Sequence, residues 1–435
     1  MNPIIADLVQ NEKFGAYLQT LKNDQILISG LSDMGKVQVI GSTNSAIPNN
    51  ILVITYNELK ARQIFQDIKF FTDKVIYFPK KELVTYDYIA GSHDLLHERI
   101  DNLNKIFRGE ANIIVVGIEC LMQNMIAKDT LYQNIISLKT GEEVELEILK
   151  EKLVHLGYER YEQIEGRGQF SLRGGIVDIA VSKEYGIRIE FFGNAIDSIR
   201  KFKIQTRRSE EMLENWTIYP CHEYILERKI DLICRDILSK SYTQKKRMSA
   251  LEDVEMIKAG RHLSKIDKYF DCFYQESSSL LDYLENDTVL MIDEIEKIKQ
   301  RAESIISENL NVVQSLLERE KIVPNAIESM RPYEKCIKDM QKKRNVFLER
   351  QELGFTSPEL KETRHRIHFN YREINYYKSE ISHLFDDIKQ KRDKKIVLVC
   401  GNEEKRKAFE KLLSENDITA NDRLLLMNGT ISCRV

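Results

Sequence analysis

Three groups of residues have the types and spacing that chemistry or recognition uses. The first is Gly30-x4-Gly35-Lys36, which follows the aliphatic run 25–29 and has most of the parts of a phosphate-binding loop. Such a loop needs glycines so that backbone N–H groups approach phosphate, a lysine to meet its charge, and a Ser or Thr next in line to ligate magnesium. Here the next residue is Val37, whose aliphatic side chain can neither coordinate the metal nor donate to phosphate. Asp293-Glu294 closes a second aliphatic run, where an acidic pair would complete the site. Gly30, Gly35, Lys36, Asp293 and Glu294 therefore read as a degenerate nucleotide site that keeps a fold without its chemistry. The second group is His93 and His97, at the i, i+4 spacing by which a helix can bind zinc, but Asp94 stands in place of a glutamate and no third ligand is signalled. His365 and His368 are a weaker pair of the same kind. No nucleophile, base and orienting group occur together, so no catalytic residue, metal ligand or cofactor is assigned to this segment.

The third group is Arg173, Arg188 and Phe192, carried by GRGQFSLRGGIVDI (166–179) and IRIEFFG (187–193). Two alternating runs with a short loop between them predict antiparallel strands with one buried face. Ile187, Ile189 and Phe191 fall on one face, and Arg188, Glu190 and Phe192 on the other; Arg173 alternates onto the polar face with Ser171. Gly174-Gly175 predicts a bulge that re-aims Arg173. An exposed aromatic beside two arginines has the composition of an interface hot spot. The same pattern also fits a hairpin whose outer face is merely solvated, with Phe192 covered by a neighbouring element.

These groups need elements to position them. Aliphatic runs at 25–29, 51–55, 75–78, 113–116 and 287–292, with helical patterns between them, predict a parallel sheet with helices on its faces. Around residue 140 the pattern changes to antiparallel. The chain is therefore expected to be α/β: a first part of a parallel-sheet domain (1–130), an inserted small α+β domain (131–222), the remainder of the first domain (223–325), connecting helices (326–370) and a second small α/β domain (371–435). The 435 residues are 42% hydrophobic and 31% charged, the composition of a folded protein, and the net charge of −3 argues against coating nucleic acid by bulk charge. Basic clusters at 245–247, 342–344 and 389–395 lack interleaved aromatics and read as solvated faces, with a salt-sensitive DNA contact as the alternative. Seven scattered cysteines without a CxxC pair fit reduced thiols in the cytoplasm, and no apolar run is long enough to span a bilayer.

Nearly the whole chain resembles one family. GQFSLRGGIVDI and RIEFFGNAIDSI are similar to the module shared by the bacterial repair protein UvrB and the transcription-repair coupling factors. YFPKKELVTYDYIAGSHDLLHERIDNL, IFRGEANIIVVGIECLMQ, RKFKIQTRRS and LLDYLENDTVLMIDE are similar to the coupling-factor pattern around it. The resemblance implies a degenerate RecA-like domain with an inserted UvrA-binding domain, the N-terminal, UvrB-like part of a coupling factor. In the family that part recruits UvrA to lesions at stalled RNA polymerase, and carried over by position its UvrA contacts are Arg173, Arg188 and Phe192. Polymerase and DNA would be engaged through regions outside these residues, with ATP and magnesium in the motor of the full-length protein. Two departures separate the chain from UvrB: Val37 spoils the nucleotide loop, and 88–92 are too few to form the long hairpin with which UvrB probes DNA. A monomer is expected. A UvrB-related nucleotide-binding ATPase and a direct DNA-binding module remain as alternatives.

Overall fold

The computed structural model describes residues 2–21, 25–81, 93–223, 225, 230–239, 244–258, 269–274, 277–318, 330–351, 357–372, 381–391 and 393–431. The five expected aliphatic runs and two further stretches form a parallel sheet of seven strands. Its spatial order is His365–His368, Ile26–Ser29, Arg344–Leu348, Val289–Asp293, Ile51–Thr55, Ile113–Gly117, Val75–Tyr77. Alternate residues of the central strands feed two separate cores. Leu27, Leu52, Ile54, Ile114, Leu290 and Phe347 face one layer of helices, while Ile28, Val53, Val115, Met291 and Val346 face the other. Strands buried on both faces must be aliphatic throughout, which is why they read as continuous runs and not as alternating ones.

Two of the seven strands correct the expected connecting helices over 326–370. Arg344–Leu348 lies between Ile26–Ser29 and Val289–Asp293, and His365–His368 forms the edge beside Ile26–Ser29. The described helices of this stretch, Tyr333–Met340 and Pro358–Glu362, each end before one of these strands. The main sheet thus draws strands from both sides of the insertion. The short run 88–92, on which the missing hairpin was argued, lies outside the described residues.

The inserted domain is a six-stranded sheet in the order Ser209–Leu213, Ala195–Lys203, Tyr185–Phe192, Ile176–Ala180, Gln169–Arg173, Glu159–Arg160, antiparallel except at its last pair. The helix Leu146–His155 buries Leu149 and Leu153 against Ile179, Ile187, Ile189 and Ile199 on one face of this sheet. The expected bulge at Gly174-Gly175 is instead a two-residue turn: Arg173 pairs directly with Ile176, and Gly174 supplies the positive φ of 59° that a tight hairpin needs. Register shifts fall instead in Ala195–Lys203, between Ile196 and Ser198 against one neighbour and between Lys201 and Phe202 against the other. After the main domain, Ile381–Gln390 and Glu403–Glu415 pack on a parallel pair, Ile396–Val399 and Leu424–Met427.

The inserted domain is fastened to the helix His93–Phe107. Arg99, 1% exposed, forks onto Glu223 where the chain leaves the insertion, donates to the Pro79 carbonyl and lies over the Phe78 ring. Two residues along, Asp101 takes both arms of Arg167. Removing one partner of a buried pair leaves an uncompensated charge. Arg99→Met should therefore cost about 4 kcal/mol in urea unfolding. Arg99→Met with Glu223→Leu should recover most of that loss, and a double variant as unstable as the single one would show that the pair is not the cause.

Candidate functional site

The glycine-lysine segment lies where a phosphate loop would, between a central strand and a helix, but its backbone takes a different path. Ile26–Ser29 is followed by only Gly30, Leu31 and Ser32 before the helix Asp33–Ala46 begins. Ser32 caps that helix by accepting from the Gly35 N–H at 3.1 Å, so a donor that a phosphate loop would offer to its ligand is met by the chain's own serine. Gly30 sits at φ 72°, and the chain after His365–His368 crosses it: Phe369 N–H donates to the Ser29 carbonyl and Tyr371 N–H to the Gly30 carbonyl, both at 2.9 Å. The Tyr371 ring lies over Gly35, so close that a Cβ there would come within 2.8 Å of it. Val37, the residue that replaces the metal ligand, is 1% exposed and belongs to the core.

Lys36 is 2% exposed and its ammonium is spent within the protein. It donates to Asp293 Oδ1 at 2.7 Å and to Glu294 Oε1, while Thr55 Oγ1 donates to the other Asp293 oxygen at 2.7 Å. Burial by itself would lower the Lys36 pKa, but the two carboxylates outweigh it and raise it, so the lysine is charged. Glu294, held at φ 59°, also accepts from Arg350 N–H. Lys36, Asp293 and Glu294 are thus brought together as the sequence expected, with Gly30 and Gly35 beside them. Sequence reasoning missed Glu349, which follows the strand Arg344–Leu348 and accepts from Ile295 N–H at 3.0 Å. Burial, and then the charge of Glu294, push its carboxyl up to about 8. That position was assigned to a helix, so nothing marked it.

On the inserted domain the alternation is as read: Ile187 and Ile189 are buried, while Arg188, Glu190 and Phe192 point away from the core. Phe192 is 85% exposed and is not covered by a neighbouring element. Ile176 and Met212 are the other exposed apolar side chains of this face, and Arg173 stands opposite Ile176. The Arg188 fork is already engaged within the chain. Its Nε and Nη2 donate to the two oxygens of Asp178 at 2.7 and 2.9 Å, and its guanidinium lies 5.0 Å from the centre of the Phe202 ring. Arg173, half exposed, donates to the same carboxylate at 3.1 Å. Asp178 is 2% exposed, so one buried carboxylate fixes both arginines on the face that carries Phe192. Alternation could place Asp178 on this face but not show that it is buried.

The remaining candidates are not drawn together. The side chain of His93 lies outside the described ones, and His97 sits in a groove beside the inserted domain. Among the described residues no group of three or more His, Cys, Asp and Glu is placed to hold a metal ion. His368 Nδ1 lies 3.0 Å from Ser29 Oγ. Several lysines of the basic clusters meet acids of this chain, Lys342 on Asp339 and Lys395 on Asp7 among them. Among the described residues no helix is long and apolar enough to cross a membrane.

Comparison with known proteins agrees with this architecture. The UvrB interaction domain family matches residues 136–224, which span the six-stranded insertion. The chain is 26% identical over 414 residues to the transcription-repair-coupling factor of Bacillus subtilis, covering 91% of this chain and 34% of that protein. It is 27% identical over 341 residues to the protein of the same name from Staphylococcus haemolyticus, covering 73% and 28%, and 27% identical over 330 residues to one from Staphylococcus aureus, covering 72% and 28%. It spans about a third of the length of these curated relatives.

The titration of Glu349 is measurable as stability. A carboxyl raised from 4.5 to about 8 makes the folded chain hold more protons than the unfolded one between those values, so this group's contribution falls as pH rises through that window. Glu349→Gln keeps an acceptor for Ile295 and removes the titration. Between pH 5 and pH 8.5 the wild type should lose on the order of 2 kcal/mol relative to the variant in urea unfolding. Parallel pH profiles would refute the assignment.

Proposed function

We propose that this chain, which is related over most of its length to the N-terminal region of transcription-repair coupling factors, is a recruitment module. In this reading it binds UvrA through the outer face of its inserted domain, and so brings the repair machinery to lesions where RNA polymerase has stalled. The observation that carries the reading is Phe192, left 85% exposed beside two arginines that a buried aspartate holds in place. An aromatic anchor flanked by preset guanidinium groups has lost little freedom left to lose on binding, which is what makes a hot spot effective. Phe192 would fill an apolar pocket on UvrA with Ile176 at its side. Arg173, the more exposed arginine, would contact UvrA directly, while Arg188 would act chiefly by keeping Asp178 and the sheet face in order.

The glycine-lysine segment is assigned no catalysis. The metal-ligand position is a core valine, Lys36 is neutralised by Asp293 and Glu294, and Tyr371 lies against Gly35. ATP binding, ATP hydrolysis and DNA translocation, with their magnesium, are placed in other parts of the full-length protein. The reading as an ATPase is favoured only if Mg-ATP binds this chain with micromolar affinity; calorimetry is expected to show no saturable heat below about 1 mM.

Binding to a purified bacterial UvrA tests the module. Phe192→Ala should weaken binding by about 2 kcal/mol, roughly 30-fold, with the unfolding midpoint unchanged. Arg188→Ala should cost a similar amount and should also lower stability, because it strips the bidentate partner from a buried carboxylate. Wild-type affinity in both variants, or no binding by the folded wild-type chain, would refute the assignment.

A further inference from the structure

The inserted domain hangs from the main domain by a narrow root. The strands by which the chain enters and leaves it, Ile136–Lys139 and Asn215–Ile218, pair side by side, with Ile136 opposite Ile218. Its apolar clusters are its own. One joins the helix Leu146–His155 to the inner face of its sheet, and a second gathers Ile164, Ala180, Phe202 and Ile204. Among the described residues, none from 136 to 221 belongs to either core of the main sheet. Two contacts hold the chain close to its exit from the root: Arg99 on Glu223, and Arg108 stacked 5.1 Å from the centre of the Tyr219 ring. Domains without a large shared apolar interface move relative to one another by default.

Further out, the loop between Glu159–Arg160 and Gln169–Arg173 sends Arg167 across to Asp101 on the helix His93–Phe107. Both of its terminal nitrogens are engaged, one on each carboxylate oxygen. Open clefts lie on both sides of this pair. One, of about 580 Å³, sets Lys69 and Lys105 of the main domain against Ser182 and Lys183 of the insertion. The other, of about 510 Å³, sets Arg108 against Leu213 and Trp216, and Asp101 and Arg167 line both clefts. The pair is therefore a strut across a gap and not part of a packed interface. The Asp101 side chain is 47% exposed, so water and salt reach its carboxylate. A two-pronged arginine fork fixes direction as well as distance, while an ion pair open to solvent adds little to stability. Such a contact can set an orientation without locking it.

We propose that Asp101 and Arg167 form an ionic latch that sets the resting orientation of the inserted domain. When the pair opens, the domain swings on its paired root strands away from the helix His93–Phe107, and the clefts beside the latch widen. Ionic strength sets the open fraction, because salt screens an exposed pair. Phe192 travels with the domain, so the latch governs how that face is presented to the main sheet, whatever the face binds.

Both clefts carry a reporter. Trp216 is the only tryptophan in the chain, so acrylamide quenching of its emission follows one cleft. Cross-linking of Lys105 to Lys183 by a short amine-reactive reagent, scored by mass spectrometry, follows the other. The full chain would be compared with Asp101→Asn, Arg167→Gln and the exchange of Asp101→Arg with Arg167→Asp. At about 0.1 M salt each single variant should raise quenching about two-fold and halve the cross-link, at an unchanged unfolding midpoint. The wild type should approach the single variants at about 1 M salt, where the screening length falls to about 3 Å, and Asp101→Asn should show no further response. The exchange should restore the wild-type values at low salt. If a single variant fails to fold, the salt response of the wild type against that of the exchange still decides, since both should open together. Equal quenching and cross-linking in all folded chains at both salts, or an exchange that stays open at low salt, overturns the proposal.

Discussion

The main sheet closes around a buried ion cluster. Lys36 comes from before the insertion, Asp293 and Glu294 from after it, and the strand that carries Glu349 runs between them. The sheet must join two pieces of chain separated by an entire second domain, and aliphatic strands alone specify such a pairing poorly, because many registers bury equivalent surface. A charged lysine that finds two carboxylates at the ends of the strands penalises every register that leaves any of the three unpaired, since a lone buried charge costs several kcal/mol. Thr55, at the end of the next strand, adds one more fixed point through Asp293. Lys36, Asp293 and Glu294 thus act as the pin that sets the order of the sheet.

The inserted domain uses the same device to a different end. Asp178 is buried in the face that carries Phe192, and the two arginines that neutralise it are partly exposed, so the charge that solves an internal problem also patterns the surface. Glu190, Ser198 and Arg200 repeat the arrangement one strand over. The result is a sheet face with fixed guanidinium groups around a free aromatic ring. A flexible arginine would pay rotamer entropy on docking; one already held by a carboxylate has paid it in folding.

How much of this could be read from the sequence depended on whether a signal was local. The strands at 26–29, 51–55, 113–117 and 289–293 were legible because each is an unbroken aliphatic run, and the faces of 185–192 were legible because alternation has a fixed period. Arg344–Leu348 was missed because charged residues crowd around Val346-Phe347-Leu348 and Asn345 interrupts the aliphatic signal, although Asn345 is itself buried. His365–His368 has a single aliphatic residue, enough for an edge strand that pairs on one side only. The crossing of Tyr371 over Gly35 and the sharing of Asp178 are contacts between distant or same-face residues for which no spacing rule exists. The candidate residues were therefore legible, as was the convergence of Lys36 on Asp293 and Glu294, but the other partners were not.

That difference decides how the candidates are weighed. Lysine after a glycine pair and arginine beside phenylalanine look equally functional as sequence, but their surroundings separate them. The ammonium of Lys36 is matched by two carboxylates within the fold, and Tyr371 lies against the neighbouring Gly35, so a ligand at this loop would have to displace both before gaining anything. Phe192 has no such debt: its ring is in water, and removing it from water on a partner is worth about 2 kcal/mol before any polar contact is counted. The free energy available for recognition therefore lies on the face of the inserted domain, while the charges of Lys36, Asp293 and Glu294 are already committed to holding the sheet together.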